Sequence, residues 1–311
     1  MNETRLEWIA EDPVSQHILE IAGKVADTST TVLITGESGT GKDQLARWIH
    51  ETGPRRDAPF LKIDCASLPS ELVESELFGH ERGAFTGAEA RKPGRMELAG
   101  GGTIVLDEVV ALAPEVQSKL LRVLEERKFE RLGGTETLEM DARLIALTNT
   151  DLERAVSGAY FREDLYFRLN VLVIKIPGLR ERLQDIRPLA EHFVRRIGPV
   201  HGQINPAIDD GAMRALEVYD WPGNVRELKN MIEHALVFAK DGTLRRGDFP
   251  ASLRATQGMP AQTRLQSLEE LEKEAVRATL ESTHYKIAQA AQILGISRKT
   301  LLEKRKKYGL A

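Results

Sequence analysis

A glycine-rich segment between an apolar run and a helical pattern constrains the fold of this chain more than any other feature. Residues 36–42 read GESGTGK, which fits the pattern G-x-x-x-x-G-K. The run Thr31–Thr35 before it is typical of a buried strand, and Gln44–His50 after it has helical spacing. Glycines let backbone N–H groups turn toward a polyanion. The segment therefore predicts a phosphate-binding loop, formed by Gly36, Glu37, Ser38, Gly39, Thr40, Gly41, Lys42 and Asp43.

Acidic residues at two places predict the rest of a nucleotide site. Asp43 stands where the general pattern has a hydroxyl ligand for Mg²⁺, so it either holds the metal through water or caps the helix. Asp107 and Glu108 end a short apolar run, where the first acid can hold Mg²⁺ and the second can activate a water. Thr148 and Asn149 end another such run, and either sense the γ phosphate or form an ordinary turn. Together these residues predict nucleotide hydrolysis with Mg²⁺ as a cofactor; the family resemblance given below implies that the nucleotide is ATP.

The order of patterns along the chain predicts two kinds of folded region. Short apolar strands alternate with longer helices up to about residue 178, which indicates a mainly parallel sheet covered by helices. Three helical patterns follow, at 185–198, 208–219 and 224–239, with no convincing strand between them. A polar stretch then predicts a linker before a small helical module. The predicted boundaries are 1–178 for the α/β core, 179–252 for a helical region, 253–266 for the linker and 267–311 for the last module.

Composition excludes several classes of protein. One cysteine among 311 residues argues against a disulfide scaffold and favours a reducing compartment. No apolar stretch approaches the roughly 18–20 residues that a membrane helix needs. The net charge of −4 hides an uneven distribution, because residues 267–311 carry +3 and the rest of the chain carries −7. A basic C-terminal module on an acidic body is typical of a nucleic-acid-binding end.

The segment Glu76–Ala88, with sequence ELFGHERGAFTGA, identifies a family. It resembles the AAA+ bacterial enhancer-binding proteins, which activate the sigma-54 form of RNA polymerase, and the resemblance extends from about residue 12 to the C-terminus. It implies a fold of the α/β class, with a P-loop AAA+ parallel-sheet core, an α-helical lid and an all-α Fis-like helix-turn-helix domain. In the family this loop contacts sigma-54, which implies that role for Gly83, Ala84, Phe85, Thr86, Gly87 and Ala88.

The same resemblance implies catalytic and sensing roles for further residues. Arg162 and Arg168 match the arginine fingers that enter a neighbouring subunit's nucleotide site, and Arg226 matches the lid residue that reaches the nucleotide of its own subunit. Asp64 stands where the family often has an asparagine that holds the water-activating glutamate. A carboxylate cannot donate that hydrogen bond unless it is protonated. Either Asp64 acts as a switch in a different way, or the switch lies elsewhere.

The C-terminal module has the pattern of a helix-turn-helix. Lys286–Leu294 predicts the first helix, Gly295 the turn, and Arg298–Tyr308 a second helix with a net charge of +5 from residue 298 onward. The alternative is a solvated basic helix on a dimerisation module. Arg305 stands where relatives usually have an apolar residue, so it either extends past the core or the helix is rotated. The predicted DNA contacts are Ser297, Arg298, Lys299, Thr300 and Lys304.

The resemblance implies a cytoplasmic, ring-forming ATPase, a hexamer when active and a dimer when inactive, that does not enter a membrane. Its implied partners are the sigma-54 RNA polymerase holoenzyme and enhancer DNA. Because the phosphate loop begins at residue 36, we expect no N-terminal receiver or ligand-sensing domain. Two alternatives are a generic AAA+ remodeller, such as a helicase loader with a DNA-binding tail, and an ATP-gated DNA-binding repressor that does not contact sigma-54. The intact Phe85-Thr86 pair argues against both.

Overall fold

The computed structural model describes residues 8–239, 241–254, 272–273, 276–277, 279–280, 283 and 286–308. The chain divides into two compact units, Met1–Thr256 and Gln257–Ala311. Most of the predicted linker, residues 255–266, and most of the stretch 267–285 lie outside the described residues. The domain boundaries derived from the sequence therefore stay predictions.

A five-stranded parallel sheet forms the centre of the first unit. Its strands are adjacent in the order β2-β5-β8-β1-β9. The strands of the described residues are β1 Val32–Thr35, β2 Phe60–Asp64, β3 Gly79–His80, β4 Lys92–Pro93, β5 Thr103–Asp107, β6 Lys128–Glu130, β7 Thr137–Glu139, β8 Arg143–Thr148, β9 Val173–Lys175, β10 Ala207–Ile208 and β11 Thr243–Leu244. Because the main strands run parallel, their carboxyl ends lie at one edge, where ligands bind in open α/β sheets.

Helices cover both faces of the sheet. The helices of the described residues are α1 Pro13–Ala26, α2 Lys42–Thr52, α3 Ser70–Phe78, α4 Arg95–Ala99, α5 Pro114–Glu126, α6 Leu152–Ser157, α7 Glu163–Leu169, α8 Ile186–Ile197, α9 Asp210–Val218, α10 Asn224–Phe238, α11 Ala251–Arg254, α12 Ile287–Ile293 and α13 Arg298–Lys307. Alternate strand residues enter different cores: Val32 and Ile34 pack with α1 and α2, whereas Leu33 packs with the cluster that includes α3 and α5. The strands at the centre of the sheet are buried on both faces, and this explains why their sequences read as apolar runs.

The helical region after residue 178 has its own core. Trp221 is fully buried there, and its indole N–H donates to the carbonyl of Leu216 at 2.9 Å. One expectation was wrong: β10 lies between the first two helices of this region and pairs in parallel with β11. Each of these strands has two residues, which is too short for an alternating pattern to be visible in the sequence.

The strand β2 was not predicted from the sequence. This strand lies at the edge of the sheet, and only Ile63 of its five residues is fully buried. An edge strand carries polar side chains toward solvent, so its apolar signal is weak. The consequence matters for the site, because β2 carries Lys62 and Asp64 to the carboxyl edge beside Asp107.

The described part of the second unit contains the two expected helices. Gly295 lies between them with a φ of 64°, a left-handed conformation that glycine adopts without steric cost. Ser297 caps α13, since its hydroxyl accepts a hydrogen bond from the N–H of Thr300 at 3.0 Å. The core is small and consists of Val276, Leu280, Ala290, Ala291 and Leu301. Within the described residues of the whole chain, none of the helices combines the length and the apolar character needed to span a membrane.

Candidate nucleotide site and its linked surfaces

The phosphate loop connects β1 to α2 at the carboxyl edge of the sheet. Gly39 and Gly41 have φ values of 80° and 106°, which side-chain-bearing residues rarely adopt. A Cβ on Gly39 would also lie 2.5 Å from the carbonyl oxygen of Gly223 in the lid. Glycine is therefore required at this position both by the backbone conformation and by the close approach of the lid.

Lys42 is held inside the loop. Its ammonium donates to the carbonyl oxygens of Gly36 at 2.7 Å and Glu37 at 3.2 Å, and the side chain is buried. Burial lowers the pKa of Lys42, while the negative charges of Glu108 and Asp107 oppose that shift. The loop is thus closed around its lysine, which is the first residue of α2, at the helix end that favours negative charge.

Two carboxylates meet beside this lysine, and a second lysine lies between them. The ammonium of Lys62 is 2.5 Å from Asp43 and 2.7 Å from Asp107. Burial alone would lower the pKa of Lys62, but its hydrogen bonds to Asp107 and Asp43 outweigh burial and raise it. Lys62 was not predicted from the sequence, because the strand β2 that carries it to this edge has a weak apolar signal. Carboxylate oxygens are ligands that hard divalent cations prefer, but the described residues contain no group of three or more His, Cys, Asp or Glu side chains placed to hold a metal ion.

Glu108 has a strained backbone. Its φ and ψ are 51° and 52°, a left-handed conformation that costs a residue other than glycine about 1–3 kcal/mol. Its carboxylate accepts a hydrogen bond from the N–H of Asn149 at 3.2 Å. The side chain of Thr148 accepts from the N–H of Thr150 instead. The structure thus places Glu108 and Asn149 together, next to the strand end that carries Asp107.

Asp64 lies at the end of β2, opposite Asp107 in the strand register. Its carboxylate accepts hydrogen bonds from the N–H groups of Ala66 at 3.0 Å and Ser67 at 3.2 Å. Such a turn uses the carboxylate locally. No hydrogen bond joins Asp64 to Glu108 within the part of the chain that the structure describes.

The lid contacts the phosphate loop directly. Arg180, in a short turn after β9, forms a two-pronged ion pair with Glu37, and Asn224 donates to the same carboxylate at 3.1 Å. These hydrogen bonds, with Arg180 first, lower the pKa of Glu37 from 4.5 to about 2. Arg226 donates to the hydroxyl of Ser38 at 2.8 Å. Arg226 therefore lies at the phosphate loop of its own chain.

The two candidate finger arginines lie at the ends of α7. Arg162 pairs with Asp164 at 2.7 Å and donates to the hydroxyl of Ser118 at 3.1 Å. Arg168 donates to the carbonyl oxygen of Leu124 at 2.9 Å. Both thus contact their own α5 or α7, and none of the contacts in the described residues joins either arginine to the phosphate loop.

The GAFTGA segment forms a loop between α3 and α4. Gly83 donates to the carbonyl of Ala88 at 2.9 Å, which closes the loop, and Gly83 and Gly87 have φ values of 81° and 106°. Phe85 is 41% exposed and its ring meets that of His80 edge-on, with centroids 4.9 Å apart. The loop therefore presents an apolar ring and the exposed Thr86 at its tip.

A buried arginine contacts an acid just before this loop, and no local pattern in the sequence predicts it. Arg131 follows β6, and its side chain is 2% exposed. It pairs with Glu81 at 2.9 Å, Glu97 at 2.9 Å and Glu136 at 2.7 Å. These three acids hold the pKa of Arg131 above its ordinary value. The network connects the start of the GAFTGA segment with α4, which leads into β5 and the acids at its end.

On the recognition helix α13, the candidate DNA contacts differ in environment. Arg298 and Lys299 are exposed, whereas Lys304 is partly buried and forms an ion pair with Glu272. The same carboxylate accepts a hydrogen bond from the hydroxyl of Tyr308 at 2.5 Å. Arg305 is half-buried. The first turn of α13 is thus open to a partner, while Lys304 already has an anionic neighbour.

Three family models match the chain. The sigma-54 interaction domain matches residues 8–175, the AAA+ ATPase lid domain matches 180–266, and the bacterial regulatory protein, Fis family, matches 267–308. These matches confirm the predicted family and the predicted fold class.

Named relatives agree with the family models. Transcriptional regulatory protein ZraR of Salmonella typhimurium strain LT2 is 45% identical over 300 residues, which cover 95% of this chain and 67% of that protein. The Nif-specific regulatory protein of Azospirillum lipoferum is 52% identical over 242 residues, which cover 77% of this chain but 39% of that protein. The structure of NtrX from Brucella abortus in complex with ATP has a TM-score of 0.76 at 33% identity, and covers 98% of this chain and 70% of that chain. The chain therefore belongs to the family of sigma-54-dependent transcriptional activators, as an AAA+ ATPase with a lid and a Fis-type DNA-binding domain.

Proposed function

We propose that this chain uses ATP hydrolysis in a ring, most simply a hexamer that forms from dimers, to remodel the sigma-54 RNA polymerase closed complex. The observation that carries the proposal is the placement of the GAFTGA loop. It leaves α3, returns through α4, and α4 leads into β5, which ends at Asp107 and Glu108. The Arg131 network joins the loop base to α4. A conformational change at the γ phosphate can therefore be passed to Phe85 and Thr86 through β5, α4 and the Arg131 network.

In the proposed hydrolysis step, each residue of the nucleotide site has one role. Lys42 and the N–H groups of the loop bind the β and γ phosphates, and Arg226 closes the lid over them. Glu108 orients and deprotonates the attacking water, and Asn149 keeps the carboxylate of Glu108 in place. Asp107, with Asp43 nearby, would hold Mg²⁺, which supplies charge neutralisation for the phosphates when bound.

Arginine fingers complete the proposed site from a second subunit. Arg162 immediately precedes α7 and Arg168 lies in its last turn, beside Phe167, which is 63% exposed. An exposed aromatic ring beside two arginines is typical of a surface that docks onto another protein. We assign this face to the neighbouring subunit's nucleotide, where the guanidinium groups stabilise charge on the γ phosphate.

The second unit supplies the proposed link to enhancer DNA. The first turn of α13 would enter the major groove with Ser297, Arg298, Lys299 and Thr300, while Lys304 contacts the backbone. Enhancer DNA and the polymerase holoenzyme are in the bacterial cytoplasm, so we place the protein there. The domain limits 1–178, 179–252 and 267–311, with a linker at 253–266, remain part of this proposal.

Replacing Thr86 by alanine tests the central claim. We expect Thr86→Ala to keep its ATPase rate within about twofold, because Thr86 is exposed and none of the hydrogen bonds in the described residues joins it to the phosphate loop. We expect the same variant to lose open-complex formation at a sigma-54 promoter. Thr52→Ala is the matched control, since Thr52 is also an exposed threonine and its hydroxyl only donates to its own helix at Trp48.

The assay is open-complex formation with purified sigma-54 holoenzyme, alongside ATPase turnover of the same preparations. Promoter activation by Thr86→Ala at the level of Thr52→Ala would contradict the proposal. That outcome would favour a generic remodeller or an ATP-gated repressor, neither of which needs this contact.

A further inference from the structure

The metal side of the nucleotide site contains more negative than positive charge. Asp43, Asp107 and Glu108 supply three carboxylates, and Lys42 and Lys62 supply two ammonium groups. Lys42 directs its hydrogen bonds to the carbonyl oxygens of Gly36 and Glu37. Lys62 is therefore the direct ion-pair partner of the two carboxylates that would approach Mg²⁺.

The geometry of Lys62 is that of a bridge. Its ammonium is 2.5 Å from Asp43 and 2.7 Å from Asp107, on two different elements, α2 and β5. The Asp107 side chain is 16% exposed and that of Lys62 is 36% exposed, so the bridge is partly shielded from water. Without Lys62, two like charges would face each other at short range, which is unfavourable in such a setting.

We propose that Lys62 is a built-in counter-ion of the nucleotide site, which bridges Asp43 and Asp107 and gives up Asp107 when Mg²⁺ with a nucleotide binds. Lys62 is a positioning residue in this scheme, because it acts on the carboxylates and not on the reacting atoms. It stabilises the site between turnovers and lowers the affinity of the site for the metal. The inference rests on the proposed use of Mg²⁺ by Asp107.

The physical reason is competition for one carboxylate. A lone pair of Asp107 that accepts from an ammonium is not free for a cation, and the ammonium also repels that cation. Each turnover ends with release of metal and ADP. A built-in cation that returns to Asp107 favours this release, because the carboxylates are neutralised again as the metal leaves.

The test compares Lys62→Met with wild type in the full chain. Methionine has a similar length and no charge. Mn²⁺ is the probe, with its binding in the presence of ADP measured by electron paramagnetic resonance. We expect the Mn²⁺ dissociation constant of Lys62→Met to fall about tenfold, the effect of one unit charge a few ångströms from a divalent ion in watery surroundings.

Three further variants make this result specific. Lys62→Arg keeps the charge and should bind Mn²⁺ like wild type, and Lys62→Gln should behave like Lys62→Met if methionine disturbs folding. Lys119→Met is the matched control, because Lys119 is also half-exposed and lies 2.5 Å from one acid, Glu74. It should leave Mn²⁺ binding unchanged.

A second readout is the thermal stability of the same variants. In EDTA, Lys62→Met should melt at a lower temperature than Lys119→Met, and saturating Mn²⁺ with ADP should remove that difference. An unchanged Mn²⁺ dissociation constant in Lys62→Met, with normal binding by wild type, would overturn the counter-ion proposal alone. Absence of Mn²⁺ binding by wild type would overturn the proposed metal site as well.

Discussion

At the scale of single residues, the nucleotide site combines strain and charge that only the folded chain brings together. Glu108 has a φ of 51° and follows Asp107, the last residue of a largely buried strand, and its carboxylate accepts a hydrogen bond from the N–H of Asn149. Sequence pattern was sufficient to select Asp107, Glu108 and Lys42, since each belongs to a local motif. It could not select Arg180 as the partner of Glu37, because 143 residues separate them.

The ion pair of Glu37 makes the lid contact sensitive to acid. The pKa of Glu37 is lowered from 4.5 to about 2 by Arg180 and Asn224, so its stabilising effect is complete above the unfolded-state pKa. It is lost as the pH falls toward the folded-state pKa. We expect wild type to melt at a higher temperature than Glu37→Gln near neutral pH, and this difference to shrink between about pH 5 and pH 3.

The measurement is thermal unfolding of both proteins across that pH range. Asp241→Asn is the control, because Asp241 pairs with Arg245 in the lid, has a pKa of about 2, and does not contact the phosphate loop in the described residues. ADP should raise the melting temperature of Asp241→Asn by as much as it raises that of wild type. It should raise the melting temperature of Glu37→Gln by less. A pH-independent difference between wild type and Glu37→Gln would show that the ion pair does not stabilise the fold.

At the scale of elements, helices were easier to predict than strands. The recognition helix was expected from residue 298 and begins there, because Ser297 gives a local cap signal. The edge strand β2 gave no such signal, and β6 with β7 forms a short hairpin whose apolar residue Phe129 is isolated in the sequence. Contacts between elements, such as those of Arg131 with three acids, depend on tertiary packing and have no local pattern.

The recognition helix allows a prediction about its two lysines. Lys299 is exposed, and none of the ion pairs in the described residues involves it, whereas Lys304 is paired with Glu272. A phosphate contact by Lys304 requires that pair to be given up or shared. We therefore expect Lys299→Ala to weaken binding to a specific enhancer fragment by about tenfold and Lys304→Ala by less than about threefold.

Fluorescence anisotropy at several salt concentrations measures the affinity of each variant for the enhancer fragment. Lys299→Ala should reduce the slope of log affinity against log salt by about one unit if it removes a phosphate contact. If Lys299→Ala instead leaves this slope unchanged and relaxes the sequence preference, Lys299 contacts a base. Equal losses for Lys299→Ala and Lys304→Ala would contradict the inference that Glu272 already neutralises Lys304.

At the scale of the whole molecule, the charge distribution separates two activities. The net charge of −4 combines an ATPase body of −7 with a DNA-binding end of +3, and the body carries the acids that face the nucleotide site. Within one chain, Arg162 and Arg168 contact α5 and α7, although the proposed chemistry needs an arginine at the γ phosphate. A complete site therefore calls for two copies of the chain.

Mixing two inactive variants tests that requirement. Arg168→Ala has an intact phosphate loop but lacks a finger, and Lys42→Ala has intact fingers but lacks the loop lysine. If the arginine fingers act between subunits, a ring that contains both variants has some interfaces at which an intact phosphate loop faces an intact Arg168. Random association of equal amounts makes about a quarter of the interfaces complete, so ATPase activity should recover to about that fraction of wild type.

ATPase turnover is measured at constant total protein while the ratio of the two variants changes, and the recovered activity should peak near equal amounts. The control mixes Lys42→Ala with the double variant Lys42→Ala, Arg168→Ala, which contains no intact phosphate loop and should stay inactive. If Arg168 only supports its own α5 through the carbonyl oxygen of Leu124, no ratio will restore activity. Recovery with the first pair and not with the second identifies Arg168 as a group supplied by the neighbouring subunit.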